Sequence, residues 1–387
     1  MMNFFKLQGP AARVAPRPDP RDIGGPRQPM LIARNLRKHF PITGGLLGRA
    51  VASVKAVDDV SFTVQKGETL GVVGESGCGK STLARLLMHL VPPDSGEMIF
   101  DGQEVGARYG LRLRDLRRNM QMVFQDSASS LNPRMPIEES VAYGPRVHGM
   151  GRAEARAHAI SLLEQVGLPA RLFAGRYPHE LSGGQKQRVN IARALALDPR
   201  MLILDEAVSA LDKSVEAQVL NLLRRLKSEF NLTYIFISHD LHVVQYISDR
   251  VMVMYLGEVV EIGPVERIYA NASHPYTQAL LASQLHADPR NRVTDPPITG
   301  DPPNPVNPPT GCRFHTRCPF AEAMCSSTAP RLHPLAGEEG HIVACHMADP
   351  SSGHARAGRA GLDRLGMARP LAAKAASEPP CKEGLRA

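Results

Sequence analysis

The chain has 387 residues, a formal charge of +8 and an ordinary 43% of hydrophobic residues, which is enough to bury the cores of two or three domains. It holds no run of eighteen apolar residues, and its start, MMNFFKLQGPAARVAPRPDP, lacks the apolar stretch and cleavage site of a signal peptide. A cytoplasmic protein that does not itself span a membrane is therefore expected. The positive balance would suit nucleic acid or an anionic surface, but the arginines are scattered, with no dense basic block and no interleaved aromatics, so no nucleic-acid partner is expected.

Residues 1–28, rich in proline, arginine and glycine, read as a disordered lead. From Met30 to Val73, alternating patterns such as VDDVSFTV predict antiparallel strands, with a hairpin turn at GET. The apolar run Leu70 to Val73 predicts a buried strand, and STLARLLMHL predicts a helix. Between them, Gly74, Glu75, Ser76, Gly77, Cys78, Gly79, Lys80, Ser81 and Thr82 match the spacing G-x-x-x-x-G-K-[ST]. Ordinary tight turns also use glycines, but the flanking strand and helix favour a phosphate cradle. Glycines let successive amides point inward at anionic oxygens, Lys80 can reach the β- and γ-phosphates, and Ser81 can bind Mg²⁺.

From Gln125 to Ser182 the pattern turns helical, with Ala159, Ile160, Leu163 and Val166 of GRAEARAHAISLLEQVG on one face. LSGGQ, Leu181 to Gln185, opens another helix, whose free amides at Ser182, Gly183 and Gly184 suit a γ-phosphate. One subunit has already enclosed its nucleotide with the first loop, so a second subunit must supply this surface. MLILDEA, Met201 to Ala207, predicts a buried parallel strand that delivers Asp205 and Glu206 to its carboxyl end; two solvated acids at a strand end are the plain alternative. A helix is predicted over Val215 to Phe230 and strands over Tyr234 to Ser238 and Val251 to Met254. His239 follows the first of these strands, where a lone histidine is usually structural.

Four of the six cysteines, Cys312, Cys318, Cys325 and Cys345, crowd into the region after His274. Disulfides are disfavoured in the cytosol, so a shared metal explains them better, as an iron–sulfur cluster or tetrahedral zinc. His315, His341 and His346 are spare ligands for zinc. Cys78 reads as a small residue in its loop, and Cys381 lies in a tail expected to be disordered.

Taken together, GESGCGKST, LSGGQ, the acids of MLILDEA, the loop Ser209, Ala210, Leu211 and Asp212, and His239 stand in an order that resembles the ABC ATPase family. SHPYTQALLASQ at residues 273–284, the proline-dense Pro296 to Pro309, GCRFHTRCPFAEAMC and HIVACH further resemble the extension of ATP-binding subunits in oligopeptide and dipeptide importers. The likeness spans roughly residues 30–348. It implies an α/β fold: a P-loop (RecA-like) nucleotide-binding domain at 29–272 with an antiparallel β subdomain, a helical subdomain at about 126–187, a small cysteine-containing extension at 273–348 and a disordered tail at 349–387.

The same resemblance assigns roles. Two nucleotide-binding domains would pair head to tail, with ATP between the Gly74 to Thr82 loop of one and Ser182, Gly183, Gly184 and Gln185 of the other. Asp205, Ser81 and Gln125 would hold Mg²⁺, Glu206 would be the base, His239 and Lys80 would contact the γ-phosphate, and Asp212 would run along the dimer seam. Phe40, in KHFPI before a glycine-containing insertion at Gly44 to Val54, is the candidate adenine platform, or else a core phenylalanine. Ala207 departs from the usual proline, leaving the catalytic pair intact. The four late cysteines would hold a [4Fe–4S] cluster, with zinc as the alternative.

Implied partners are a second ATPase subunit, identical or different, two transmembrane permease subunits docked near Asp126 to Glu139, and, indirectly, an extracytoplasmic solute-binding protein. The site of action would be the cytoplasmic face of the inner membrane. Import of di- or oligopeptides is the expected function. A nickel or other small-solute importer, or a non-transport ABC ATPase, is the alternative, and the cargo itself is not written in the chain.

Overall fold

The computed structural model describes residues 21, 22, 24, 25, 27–44, 49–127, 129–283, 300–335 and 337–358. Most of the expected disordered lead, the tail beyond 358 with Cys381, and the start of the proline-dense stretch lie outside the described residues.

Two sheets organise the chain. Strands β1 (Leu31–Gly44), β2 (Arg49–Val64), β4 (Ser95–Phe100) and β5 (Gln103–Glu104) form an antiparallel sheet in the order β2-β1-β4-β5. The larger sheet runs β11-β12-β10-β9-β3-β8-β7-β6. Within it β6 (Met120–Val123), β7 (Met201–Asp205), β8 (Thr233–Ile237), β3 (Thr69–Val73) and β9 (Arg250–Tyr255) are parallel, whereas β10 (Glu258–Pro264), β12 (Ile342–Val343) and β11 (His333–Pro334) join antiparallel.

The parallel strands are buried on both faces, which is why they read as unbroken apolar runs. Their side chains alternate between two cores, as a repeat of two requires. Leu70, Val72, Met201, Ile203, Ile235 and Ile237 meet the antiparallel sheet and helix α1 (Lys80–Leu87). Leu202, Leu204, Tyr234 and Phe236 face the other way, toward α7 (Lys213–Phe230), α8 (Leu241–Ile247) and the helical subdomain. A short helix α2 (Leu113–Asn119) leads into β6.

The helical subdomain comprises α3 (Ile137–Val147), α4 (Arg152–Gln165), α5 (Ala170–Phe173) and α6 (Gly183–Leu195). The buried face of α4 is Ala155, Ala159, Leu162 and Leu163, continuing to Val166, whereas Ile160 is only partly buried. The predicted face is thus rotated slightly: Ala155 and Leu162 point inward because α3 and α6 pack against it from two sides.

The expected insertion at Gly44 to Val54 is mostly strand. β1 and β2 continue past the sheet as a long hairpin that pairs Phe40 with Val54 and Ile42 with Ala52. After α9 (Val265–Asn271) and α10 (Pro275–Ala282), the extension adds α11 (Ala323–Ser327) and completes the edge of the large sheet with β11 and β12. Its packing continues beyond residue 348: His354 is buried, its Nε2 meets the Phe320 carbonyl at 3.1 Å, and the Ala355 N–H donates to Glu322. No helix among the described residues is long and apolar enough to cross a membrane.

Candidate functional site

The loop between β3 and α1 takes a shape that only glycine allows at two points. Gly74 has φ +152° and a Cβ there would lie 2.2 Å from the Met254 carbonyl oxygen; Gly79 has φ +108° and a Cβ would lie 2.1 Å from that of Ala56. Backbone therefore walls the loop where a side chain would stand. Lys80 is buried at the start of α1, its Nζ donating to the carbonyls of Gly74 at 2.7 Å and Glu75 at 2.9 Å. Ser76 and Gly77 are exposed, Gly77 at φ +79°, and Cys78 is buried, which fits its reading as a small residue.

Adjacent strand ends bring the other predicted groups to this edge. Ser81 Oγ donates to Asp205 Oδ1 at 3.0 Å. Burial raises the Asp205 pKa and the neighbouring Glu206 adds to the rise, against the Ser81 hydrogen bond. A buried carboxylate held this way favours a cation, so Ser81 and Asp205 fit a divalent ion with oxygen ligands.

Glu206, next in the chain, has φ +47°, a left-handed conformation that costs an acidic residue about 1 kcal/mol. Its N–H donates to the Ile237 carbonyl at 2.9 Å, which holds the turn and aims the carboxylate off the strand end. Gln125 Nε2 donates to Glu206 Oε2 at 2.8 Å, and His239 Nδ1 lies 3.5 Å from Glu206 Oε1. The ends of β6, β7 and β8 thus bring two side chains, Gln125 and His239, onto the carboxylate of Glu206. A base oriented from both sides and still partly exposed can take a proton from water.

LSGGQ begins α6 as a capping box: Ser182 Oγ accepts from the Gln185 N–H at 3.4 Å, and Gln185 Oε1 accepts from the Ser182 N–H at 2.9 Å. Ser182 and Gly183 are exposed, and this helix start packs on Leu211 and Val215 beside Asp212, which precedes α7. Phe40 is 37% exposed, so it is not the core phenylalanine of the plain alternative; the Lys38 ammonium lies 5.7 Å from its ring. Thr82 is half-buried in α1.

Cys312, Cys318, Cys325 and Cys345 line one small cavity of about 20 Å³, together with His315 and His346. Burial, reinforced by the neighbouring cysteines, pushes the thiols of Cys312 and Cys345 up to about 12 and that of Cys318 to about 11. Among the described residues, no three His, Cys, Asp or Glu side chains stand close enough together to hold a metal ion. Four convergent thiols without a lining acid fit a sulfur-ligated group in kind, but not in their present spacing. His341 lies elsewhere, between Glu261 at 2.8 Å and Glu338 at 2.6 Å, so this expected spare ligand is spent on an ion pair inside the sheet.

Sequence reasoning missed the groups that brace the loop from outside. The Glu75 N–H donates to Tyr276 Oη at 2.9 Å, and the Arg317 guanidinium bridges the Glu75 carboxylate. The acid in GES and the tyrosine in SHPYTQ were visible, but no spacing rule links them. A separate cavity of about 670 Å³, walled by Asp101, Arg118 and Arg200 among others, contains none of the predicted site residues.

Residues 57–209 match the family described as ABC transporter, and residues 260–325 the family described as oligopeptide/dipeptide transporter, C-terminal region. The oligopeptide transport ATP-binding protein AppF of Bacillus subtilis is 50% identical over 325 residues, covering 83% of this chain and 98% of that protein. The di/tripeptide transport ATP-binding protein DppF of Pseudomonas aeruginosa is 46% identical, covering 83% of this chain and 98% of that one. Among solved structures, cbiO1 of Clostridium perfringens aligns with a TM-score of 0.54 at 28% identity, covering 62% of this chain and 91% of that one. A dimeric ATP-binding cassette in a post-hydrolysis state, bound to ADP and Pi, aligns at 0.53 and 30% identity, covering 61% of this chain and 99% of that one.

Proposed function

This chain belongs to the ABC transporter ATP-binding family, and from that membership we propose that Lys80, Gln125, Glu206 and His239 hydrolyse ATP to power di- or oligopeptide import through a membrane permease. The ATPase activity follows from the family, and the peptide reading from relatives named for oligopeptide and di/tripeptide transport and from the matching C-terminal region. A nickel or other small-solute importer, or a non-transport ATPase, is not favoured by these likenesses.

The convergence of Gln125 and His239 on Glu206 is the observation that best supports the site assignment. Glu206 takes the proton of the attacking water, and His239 and Gln125 hold the carboxylate and that water in line with the γ-phosphate. Lys80 turns from its loop carbonyls to the phosphate oxygens, the loop amides beyond Glu75 face the same charge, and Phe40 stacks on the adenine. Ser81 and Asp205 would hold Mg²⁺, with Gln125 beside them; when bound, the ion neutralises charge spreading over the phosphates. The Ser182, Gly183, Gly184 and Gln185 surface serves a second subunit's nucleotide, with Asp212 along the seam, and the exposed Tyr143 and Val147 of α3 flank the permease surface at 126–139.

The reading keeps a nucleotide-binding part at 29–272 and an extension at 273–348 or slightly beyond, the His354 contact with Phe320 being the support for the longer limit. By the family resemblance Cys312, Cys318, Cys325 and Cys345 would hold a [4Fe–4S] cluster, with zinc as the alternative; the four line one small cavity and would have to rearrange to hold either. The protein works on the cytoplasmic face of the membrane. Reconstitution with two permease subunits, a partner ATPase and the solute-binding protein tests the function: peptide should stimulate ATP hydrolysis and accumulate in the vesicles. Stimulation by nickel alone, or no stimulation by any peptide, would overturn it.

A further inference from the structure

The phosphate loop is gripped by the C-terminal extension, through the loop's second residue. Arg317 Nη1 donates to both carboxylate oxygens of Glu75, at 3.3 and 3.1 Å, and its Nη2 donates to one of them at 3.3 Å. The Glu75 N–H donates to Tyr276 Oη at 2.9 Å, while the Glu75 carbonyl accepts from Lys80 at 2.9 Å. Side chain, amide and carbonyl of one residue are thus held by three different elements. Arg317 also donates to Tyr255 Oη at 3.3 Å, and its side chain is only 8% exposed.

Both grips share one mounting. The Tyr255, Tyr276 and Phe314 rings pack with centroids 4.5 to 5.5 Å apart, joining β9, α10 and the turn that carries Arg317 between Cys312 and Cys318. A forked guanidinium on a carboxylate fixes orientation as well as distance. The Glu75 peptide is what Lys80 leans on, so a shift there tilts the loop amides meant for phosphate.

We propose that Arg317 is a positioning residue for nucleotide binding: it pins Glu75, and through Glu75 sets the shape of the phosphate loop, which makes the extension a working part of the nucleotide site. This rests on the ATPase reading above. Its signature is nucleotide affinity lost without loss of the chemical step.

Fluorescent TNP-ATP, displaced by ATP, can be titrated against the full-length protein and its Arg317→Met, Arg317→Lys, Glu75→Gln and Arg317→Met/Glu75→Gln variants, with KM and kcat measured in the assembled transporter. Arg317→Met should weaken binding about tenfold and raise KM to match, with kcat within about twofold. Glu75→Gln should lose a similar factor, the double variant no more than either single one, and Arg317→Lys should recover part of the loss. Unchanged affinity in Arg317→Met, or losses that multiply in the double variant, would overturn the proposal. If the arginine variants fail to fold, wild-type affinity in Glu75→Gln overturns it by itself. A wild-type chain that binds no TNP-ATP overturns the ATPase reading and this proposal with it, whereas normal wild-type binding with an unaffected Arg317→Met overturns this proposal alone.

Discussion

Gln125 reaches Glu206 across the ends of two adjacent parallel strands, its Nε2 donating to Oε2 at 2.8 Å. The amide orients the carboxylate without neutralising it, and leaves the opposite oxygen to His239. Removing the amide in Gln125→Ala should lower ATP hydrolysis about 10–100-fold while TNP-ATP affinity changes less than about threefold. Steady-state turnover and TNP-ATP titration on the same preparation check this.

Gly183 and Gly184 make different demands. A Cβ on Gly184 would stand 2.4 Å from Val215 Cγ1, whereas one on Gly183 would meet Leu211 Cδ2 at an ordinary 3.8 Å. Gly184→Ala should therefore destabilise the chain by about 1–3 kcal/mol through overpacking. Gly183→Ala should leave the melting temperature unchanged yet lower turnover, because the face it alters is the one proposed to meet a second subunit's nucleotide. Thermal melting and ATPase assays on both variants separate the two effects.

His274 caps α10, its Nδ1 accepting from the Tyr276 N–H at 3.0 Å, while its Nε2 is buried without a hydrogen-bond partner among the described residues. Burial lowers its pKa to about 4, with Glu261 opposing. The unfolded chain then binds the extra proton first, so the contribution is full above 6.5 and is lost as pH falls toward 4, about 3 kcal/mol in all. His341, across Glu261, runs the other way. Burial disfavours its charge, but Glu261 and Glu338 outweigh that and raise its pKa, so its contribution declines as pH rises past 6.5. His274→Asn keeps a capping side chain and should flatten the loss of stability between pH 6.5 and 4.5, as read by denaturant melts.

For the cysteine cavity, anaerobic purification should yield iron and sulfide in about equal amounts, and Cys345→Ser should lose both. Zinc in place of iron, or a colourless, metal-free and well-folded protein, would contradict the cluster.

The nucleotide motifs were legible because each is local: the phosphate-loop glycines, the acids after MLILD and the histidine after TYIFIS all sit at strand ends, and a parallel sheet gathers such ends along one edge. Strands β3, β7, β8 and β9 were legible as continuous apolar runs, whereas β6 (Met120–Val123) was not predicted. What pattern could not show was pairing at a distance. Arg317 and Glu75 lie 242 residues apart, and His341 looked like a ligand because its partner Glu261 is eighty residues away in β10. The rotated face of α4 was hidden because two helices bury it, not one.

The proposed chemistry turns on Glu206 as the base in a pocket built from Lys80, Gln125 and His239. Its most direct test is Glu206→Gln in the assembled transporter, with TNP-ATP affinity and ATP hydrolysis measured together. Retained affinity with hydrolysis reduced about 10²–10⁴-fold is the predicted result; hydrolysis at the unaltered rate would contradict it.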